Sequence, residues 1–165
     1  MTQEQGRKRP FGLQRLFFRF PIYLYRAHLG WLLGKRFLLL NHTGRKSGLP
    51  RQTVLEVAHY DVASDTYTIA SGFGTRSDWY RNLQHNPDVA IQIGRRKTAA
   101  HARFLSPDES GQAMVRYAQQ YPQMAKRLIQ VLGFEGDGSD DRYYQIGNQH
   151  IHFVALASQS NRAAD

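Results

Sequence analysis

Two rhythms of apolar and polar residues divide this chain. Between Phe11 and Gly34 apolar positions recur every three or four residues, as in Leu13, Leu16, Phe17 and Phe20, which predicts helix. Pro21 breaks that helix, and Ile22, Leu24, Tyr25, Leu29, Leu32 and Leu33 continue it as a second piece. From Phe37 onward short apolar runs and alternation take over. Leu38-Leu39-Leu40 predicts a buried strand ending at Asn41 to Thr43. Gln52 to Tyr60 alternates, with Val54, Glu56, Ala58 and Tyr60 on one face and Thr53, Leu55, Val57 and His59 on the other. Asp61 to Asp65 reads as a hairpin turn and Thr66 to Ser71 as the returning strand. Val89 to Gly94 and Lys97 to Leu105 predict two strands across a Gly94-Arg95-Arg96 turn, and Gln149 to Leu156 a last one.

Helix signals sit between the strands. Ser77 or Asp78 caps a short helix through Trp79, Tyr80, Arg81, Asn82 and Leu83, which ends before Asn86-Pro87. Ser106-Pro107-Asp108-Glu109 combines an N-cap serine, proline at the first helical position and glutamate three residues after the cap. That helix runs to about Tyr121, is interrupted by Pro122, and continues to Leu132 before Gly133; Gly136 to Asp141 reads as an acidic turn. About six strands, mainly antiparallel and in hairpin succession, with few helices between them, specify an α+β fold dominated by a small β-barrel with helices packed outside. The expected organisation is a flexible basic terminus over 1–10, one barrel domain over 11–157 with a helical cover at 11–34, and a polar tail over 158–165.

Charge changes the picture at one end. Met1 to Arg51 carries 11 Lys and Arg against one acidic residue, and Gln52 to Asp165 carries 11 against 12, so the basic character belongs to the first third and calls for an anionic partner. The segment 11–34 therefore has two readings: a cover packed on the barrel, or an amphipathic segment on an anionic membrane surface. No apolar stretch reaches the roughly 18 residues of a span, and the N-terminus lacks a signal-peptide core and cleavage site; the expected location is cytoplasmic, with peripheral contact at the inner membrane face as the second reading. With no cysteine, disulfides, thiolate nucleophiles and Cys-held metals are excluded.

The chemistry-bearing stretch is Thr43-Gly44-Arg45-Lys46-Ser47-Gly48-Leu49-Pro50-Arg51. Two glycines allow a tight turn that can direct backbone N–H groups outward, and three cations supply charge, which together describe a site for phosphate or carboxylate. The competing reading is an exposed basic turn. A second glycine-rich loop, Ser71-Gly72-Phe73-Gly74, ends another strand and is followed by Trp79 and Tyr80, which either stack on a planar ligand or anchor their helix to the barrel. His42, His59, His101, His150 and His152 show no zinc-motif spacing, so no metal is expected. The chain lacks G-x-S-x-G, Walker and complete dinucleotide patterns.

Leu38 to Arg51, followed by Ala70 to Gly74 and then Asp78-Trp79-Tyr80-Arg81-Asn82-Leu83-Gln84-His85-Asn86-Pro87, resembles the deazaflavin-dependent nitroreductase family over about Phe37 to Leu105. The resemblance implies a split β-barrel related to flavin-binding oxidoreductases and coenzyme F420 as cofactor, a deazaflavin with a phosphodiester and a polyglutamate tail. It also assigns cofactor contacts to Thr43, Gly44, Arg45, Lys46, Ser47 and Arg51, to Ser71, Gly72, Phe73 and Gly74, and to Trp79 and Tyr80. Arg45, Lys46 and Arg51 fall to the cofactor's phosphate and acidic tail. Better known members carry a lysine where this chain has Gly72, and FMN stands as the alternative cofactor.

The function this implies is an F420-dependent oxidoreductase passing hydride to an electron-poor small molecule such as an enone, quinone or nitro compound, in a monomer or homodimer, with no catalytic residue assigned. Its rivals are a non-catalytic carrier of flavin, tetrapyrrole or lipid on the same barrel, and, from the basic first third, nucleic-acid binding. The glycine loops and aromatics favour a small ligand over nucleic acid.

Overall fold

The computed structural model describes residues 30–159 together with Ile22, Tyr23, Arg26 and Ala27. The expected basic terminus and most of the helical cover at 11–34 lie outside the described residues; of that cover, a short 3-10 turn spans Gly30–Leu33. Residues 160–165 of the expected tail also lie outside them.

Six strands form a closed antiparallel barrel: β1 (Phe37–Thr43), β2 (Pro50–Asp61), β3 (Thr66–Ser71), β4 (Asp88–Ile93), β5 (Arg96–Phe104) and β6 (His152–Ser158). Their order around the barrel is β1-β2-β3-β6-β5-β4, and β1 closes it by pairing with β4 through Leu39↔Gln92, Leu40↔Ile91 and Asn41↔Ala90. Closure leaves no long unpaired edge. Inside, Leu38, Leu40, Val57, Ile69, Ile91, Ala100, Ala102, Val154 and Leu156 pack together, alternating with outward residues as the pleat requires.

Four helices are described: α1 (Asp78–His85), α2 (Pro107–Gln120), α3 (Pro122–Val131) and α4 (Asp140–His150). α1 plugs one end of the barrel. The expected Ser106 start is present in full: the Ser106 side chain accepts from the Glu109 backbone N–H, and Glu109 accepts from the Ser106 N–H at 2.8 Å. Pro122 divides α2 from α3 as the sequence demands. A second apolar cluster, built from Ala58, Met114, Tyr117, Ile129, Leu132, Ile146 and Phe153, holds α2, α3 and α4 on the outside of β2, β3 and β6.

Three local expectations are corrected. The chain from Asp140 to His150 forms α4, where no helix was expected and where the last strand was placed from Gln149; β6 begins at His152. Ser139 caps α4 by accepting from the Arg142 N–H at 3.2 Å, with Asp140 and Asp141 in the first turn complementing the helix dipole. His150 is accordingly helical. In β2, a bulge between Val57 and His59 breaks the alternation, so Tyr60 joins Leu55 and Val57 at the barrel core and His59 lies on the outer face. The signal of α4 is weak because Gly147 sits in its interior, where glycine costs a helix about 1 kcal/mol against alanine.

Gly147 has a packing reason. A Cβ there would lie 2.6 Å from the Ser110 carbonyl oxygen and 2.6 Å from Met114 Cβ, and one on Gly111 would meet the Tyr144 ring at 2.6 Å. The two helices touch backbone to backbone at this pair. Gly147→Ala is expected to destabilise the protein by on the order of 1–2 kcal/mol despite the better helix propensity of alanine, because overpacking against backbone outweighs it; urea unfolding of the two proteins measures the sign.

Candidate functional site

The two glycine loops lie at the same end of the barrel, the first bound to α1 through Arg45 and the second leading into that helix. In the β1–β2 loop, Gly44 N–H donates to the Leu49 carbonyl at 2.9 Å and Gly48 N–H donates to the Gly44 carbonyl at 2.8 Å. Gly48 has φ +67°, which its lack of a side chain permits; Gly44 is needed for space, since a Cβ there would sit 2.7 Å from Ser47 Oγ. These two glycine N–H groups therefore close the turn on itself and do not face a ligand. Anion contact falls to the side chains.

The three cations have different tasks. Arg45 is bound into the fold: its backbone N–H and its Nη1 donate to Asn82 Oδ1 at 3.0 and 3.1 Å, and Nη1 and Nη2 reach Asp78 Oδ1 at 3.3 and 3.4 Å. Lys46 and Arg51 are exposed, and no hydrogen bond or ion pair engages them among the described residues. Arg51 stands over the loop, its Nε 3.5 Å from where a Gly44 Cβ would be. Of the cations assigned to an acidic tail, Lys46 and Arg51 are thus open to one, while Arg45 orders the loop that carries them.

Beneath the loop lies a chain of hydrogen bonds. Because the Asn82 oxygen accepts twice from Arg45, its NH2 group is the one facing His42 Nδ1 at 3.1 Å. Nδ1 therefore accepts, the hydrogen resides on Nε2, and Nε2 is 3.4 Å from Thr53 Oγ1. Burial pushes the His42 imidazole down to about 4, with Arg51 adding to the effect and Asp78 opposing it. His42 is neutral at physiological pH.

The second loop is organised from within. Buried Ser71 donates from Oγ to the Gly74 carbonyl at 2.8 Å and shares a 2.8 Å hydrogen bond with Ser77 Oγ, so its hydroxyl shapes the loop. Gly74 has φ +57°. Gly72 faces Leu132 at the end of α3, 3.1 Å from where its Cβ would lie, while the Phe73 side chain is exposed. Trp79 and Tyr80 are only 9% and 5% exposed and pack edge-on against each other, with Tyr80 also edge-on to Phe104 and His152. Both side chains pack within the barrel core cluster.

Beside Gly72 is a cleft of about 90 Å³ lined by Glu56, Ala58, Ala70, Tyr117, Leu128 and Phe153. Its polar wall is built from residues that carry no motif in the sequence. Glu56 Oε1 accepts from Arg36 Nε and Nη2 at 3.3 and 3.1 Å and from the Tyr117 hydroxyl at 3.2 Å, and the Arg36 guanidinium lies 4.9 Å from the centre of the Tyr121 ring. Burial, then the Glu56 charge, pushes the Tyr117 hydroxyl well above its ordinary value of 10. A glutamate between Leu55 and Val57 is the available signal. Its partners on α2 and before β1 were not readable, because they come together only in three dimensions.

A larger trough of about 530 Å³ lies at the other end of β2, lined among others by His59, Thr68, His101, Arg103, Arg116 and Ala157. It contains His59 and His101, two of the histidines whose spacing predicts no metal, and its two arginines are balanced by Asp61 and Glu109. Among the described residues no cluster of His, Asp or Glu is arranged to hold a metal ion, and no helix is long and apolar enough to cross a membrane.

Comparison with known proteins follows this geometry. A family model described as F420H(2)-dependent quinone reductase matches residues 23–131. Two curated relatives from Mycobacterium tuberculosis carry that description. One, named a putative F420H(2)-dependent quinone reductase, is 35% identical over 86 residues, covering 51% of this chain and 71% of the relative. The other, named F420H(2)-dependent quinone reductase, is 39% identical over 75 residues, which cover 44% of this chain and 48% of the relative, about half its length. Among solved structures, an F420-H2 dependent reductase aligns with a TM-score of 0.50 at 22% identity over 74% of this chain and 95% of that one. A pyridoxamine 5'-phosphate oxidase-related, FMN-binding protein from Nostoc punctiforme aligns with 0.51 at 14% identity, over 90% and 81%. These two likenesses show the fold, a split β-barrel.

The state of His42 gives stability an acid limb. An imidazole held below its ordinary 6.5 takes up its proton more readily in the unfolded chain, so stability falls as pH drops from about 6.5 towards 4. The loss across that window is expected to be roughly 3 kcal/mol from this group. Urea midpoints measured from pH 7 to pH 4 test it, and a flat profile would remove the buried neutral imidazole from the account.

Proposed function

The chain belongs to the F420H(2)-dependent quinone reductase family, and on that premise we propose that it is an F420-dependent oxidoreductase that reduces a quinone-type acceptor. The observation that carries this reading is the pairing of two exposed cations, Lys46 and Arg51, with the Gly72 loop at the same end of a split β-barrel. The donor set fits an acidic tail: two cations without partners among the described residues, on a loop whose backbone is already self-satisfied. FMN, with one phosphate and no polyglutamate, would make less use of them.

When bound, the reduced deazaflavin supplies hydride, and the protein supplies binding, orientation and exclusion of water. Lys46 and Arg51 hold the tail. From Arg51 to Glu56 is five residues along β2, about 17 Å at strand rise, which separates the tail-binding cations from the cleft beside Gly72. Glu56, hydrogen-bonded by Arg36, and the Tyr117 hydroxyl form that cleft's polar wall, and Leu128, Leu132 and Phe153 exclude water from it. Its volume of about 90 Å³ is below the roughly 300–1,000 Å³ of ligand pockets, so admitting an aromatic ring requires Leu128 and Leu132 to shift on α3. The family lysine absent at Gly72 has its place taken by Leu132, which makes this wall apolar and suits an uncharged quinone or enone ring.

Fluorescence titration with F420 tests the cofactor. Lys46→Ala and Arg51→Ala are each expected to weaken binding by about 1.5–3 kcal/mol, more strongly at low salt. Arg45→Ala should lower thermal stability as well as affinity, because it also releases Asp78 and Asn82. Absence of F420 binding in both low and moderate salt would sink the cofactor assignment. Bound F420H2 that is not oxidised by menadione, an enone or a nitroaromatic would instead favour the carrier reading.

A further inference from the structure

We propose that His42 is the positioning residue of the anion loop: its neutral imidazole, accepting at Nδ1, sets the orientation of the Asn82 carboxamide and thereby holds Arg45 and aims Lys46 and Arg51. This rests on the tail-binding reading above and extends it to a residue that touches no ligand.

One amide couples the ring to the loop. An Asn carboxamide can present either its oxygen or its NH2 to a neighbour, and only one of the two orientations serves both sides here. On one side, the Arg45 backbone N–H and Nη1 are donors and require the oxygen. On the other, His42 Nδ1 faces Asn82 Nδ2 at 3.1 Å and must accept. Thr53 Oγ1 near Nε2 provides a partner for the imidazole hydrogen and so favours the tautomer with Nδ1 free. Leu39, Leu40 and their pairing with β4 and β2 fix β1, so His42 and its ring have a rigid base. α1 in turn is fixed by Leu83 and Tyr80 in the barrel core. Asn82 therefore bridges two rigid elements and the loop between β1 and β2, and the loop inherits their order.

Protonation of His42 would put an Nδ1–H against the Asn82 NH2, donor against donor. The amide would then have to turn and present its NH2 to the Arg45 donors instead. The charged groups facing the ring are Arg51 from β2 and Asp78 from α1, with Arg45 beyond Asn82. One disfavours the imidazolium and one favours it, and burial of the ring decides for the neutral form.

The experiment compares the wild-type chain with His42→Leu and His42→Asn, using two readouts. His42→Leu removes the acceptor at Nδ1; His42→Asn keeps an acceptor oxygen near that position and cannot titrate. The first readout needs no ligand: hydrogen-exchange protection of the Arg45 amide and the ¹⁵N shifts of the His42 ring. Wild type should show a neutral ring hydrogenated at Nε2 and a protected Arg45 amide whose protection falls as pH passes through about 4. His42→Leu should lose that protection at pH 7, with Lys46 and Arg51 still present. His42→Asn should keep it at pH 7 and lack the step near pH 4. The second readout is F420 affinity at pH 7, expected to fall by about tenfold or more in His42→Leu and to recover most of that in His42→Asn.

The outcomes separate the two ideas. If wild type fails to bind F420 but His42→Leu still frees the Arg45 amide, the cofactor reading fails and the positioning role stands. If His42→Leu, shown folded by its thermal melt, keeps both the Arg45 protection and the affinity, the positioning role is overturned. A ring hydrogenated at Nδ1, or a pH step retained in His42→Asn, overturns it too.

Discussion

The Asn82 carboxamide joins the parts of this protein that have to agree. It touches the end of β1 through His42, the cationic loop through Arg45, and belongs to α1, the helix that plugs the barrel. Two donors on one side and one acceptor on the other leave it a single satisfied orientation, and a buried carboxamide in the wrong one would leave polar groups unpaired at a cost of about 1–3 kcal/mol each. The loop is consequently ordered by contacts that lie outside it. Order of this kind matters for an anion site on an exposed turn, where flexible cations would have to lose freedom on binding.

The same constraint explains the division of labour among neighbouring residues. Trp79 and Tyr80 give their faces to the core so that α1 is rigid, and Asp78 and Asn82 on the same helix can then meet Arg45. Ser71, Ser77 and Gly74 do for the second loop what Asn82 does for the first, by closing hydrogen bonds within it. Among the side chains these loops leave outward are Lys46, Leu49, Arg51 and Phe73.

On the outer face of the barrel, α2 and α3 cover the cleft that begins at Gly72. Arg36, Glu56 and Tyr117 bring a satisfied polar group into an apolar wall, with Tyr117 donating and the carboxylate held by the guanidinium. At the opposite end of β2, Asp65 has an analogous structural role. Arg96 and the Tyr60 hydroxyl hold its carboxyl down at about 2, and its carbonyl accepts from Ser158 N–H, which ties the β2–β3 turn to the start of β5 and the end of β6.

Much of the fold was legible along the chain. All six strands lie within a few residues of where alternation and turn residues put them, and the Ser106 cap and the Pro122 break were readable because their causes are local: a side chain reaching a backbone group three residues away, and a missing N–H. The motif from Thr43 to Arg51 and its pairing with the Gly72 loop were readable too, since residue type and order carry them. Tertiary structure decided the rest. It alone made a helix of Asp140–His150, whose Gly147 is favoured only because α2 passes within contact distance. It alone moved Tyr60 to the inside through a bulge set by strand pairing, and packed Trp79 and Tyr80 into the core. Among three cations of equal standing in the sequence, only the packing of α1 on the loop made Arg45 a structural residue and left Lys46 and Arg51 outward, because which charge is free depends on which partner lies opposite, and those partners are 33 and 37 residues away.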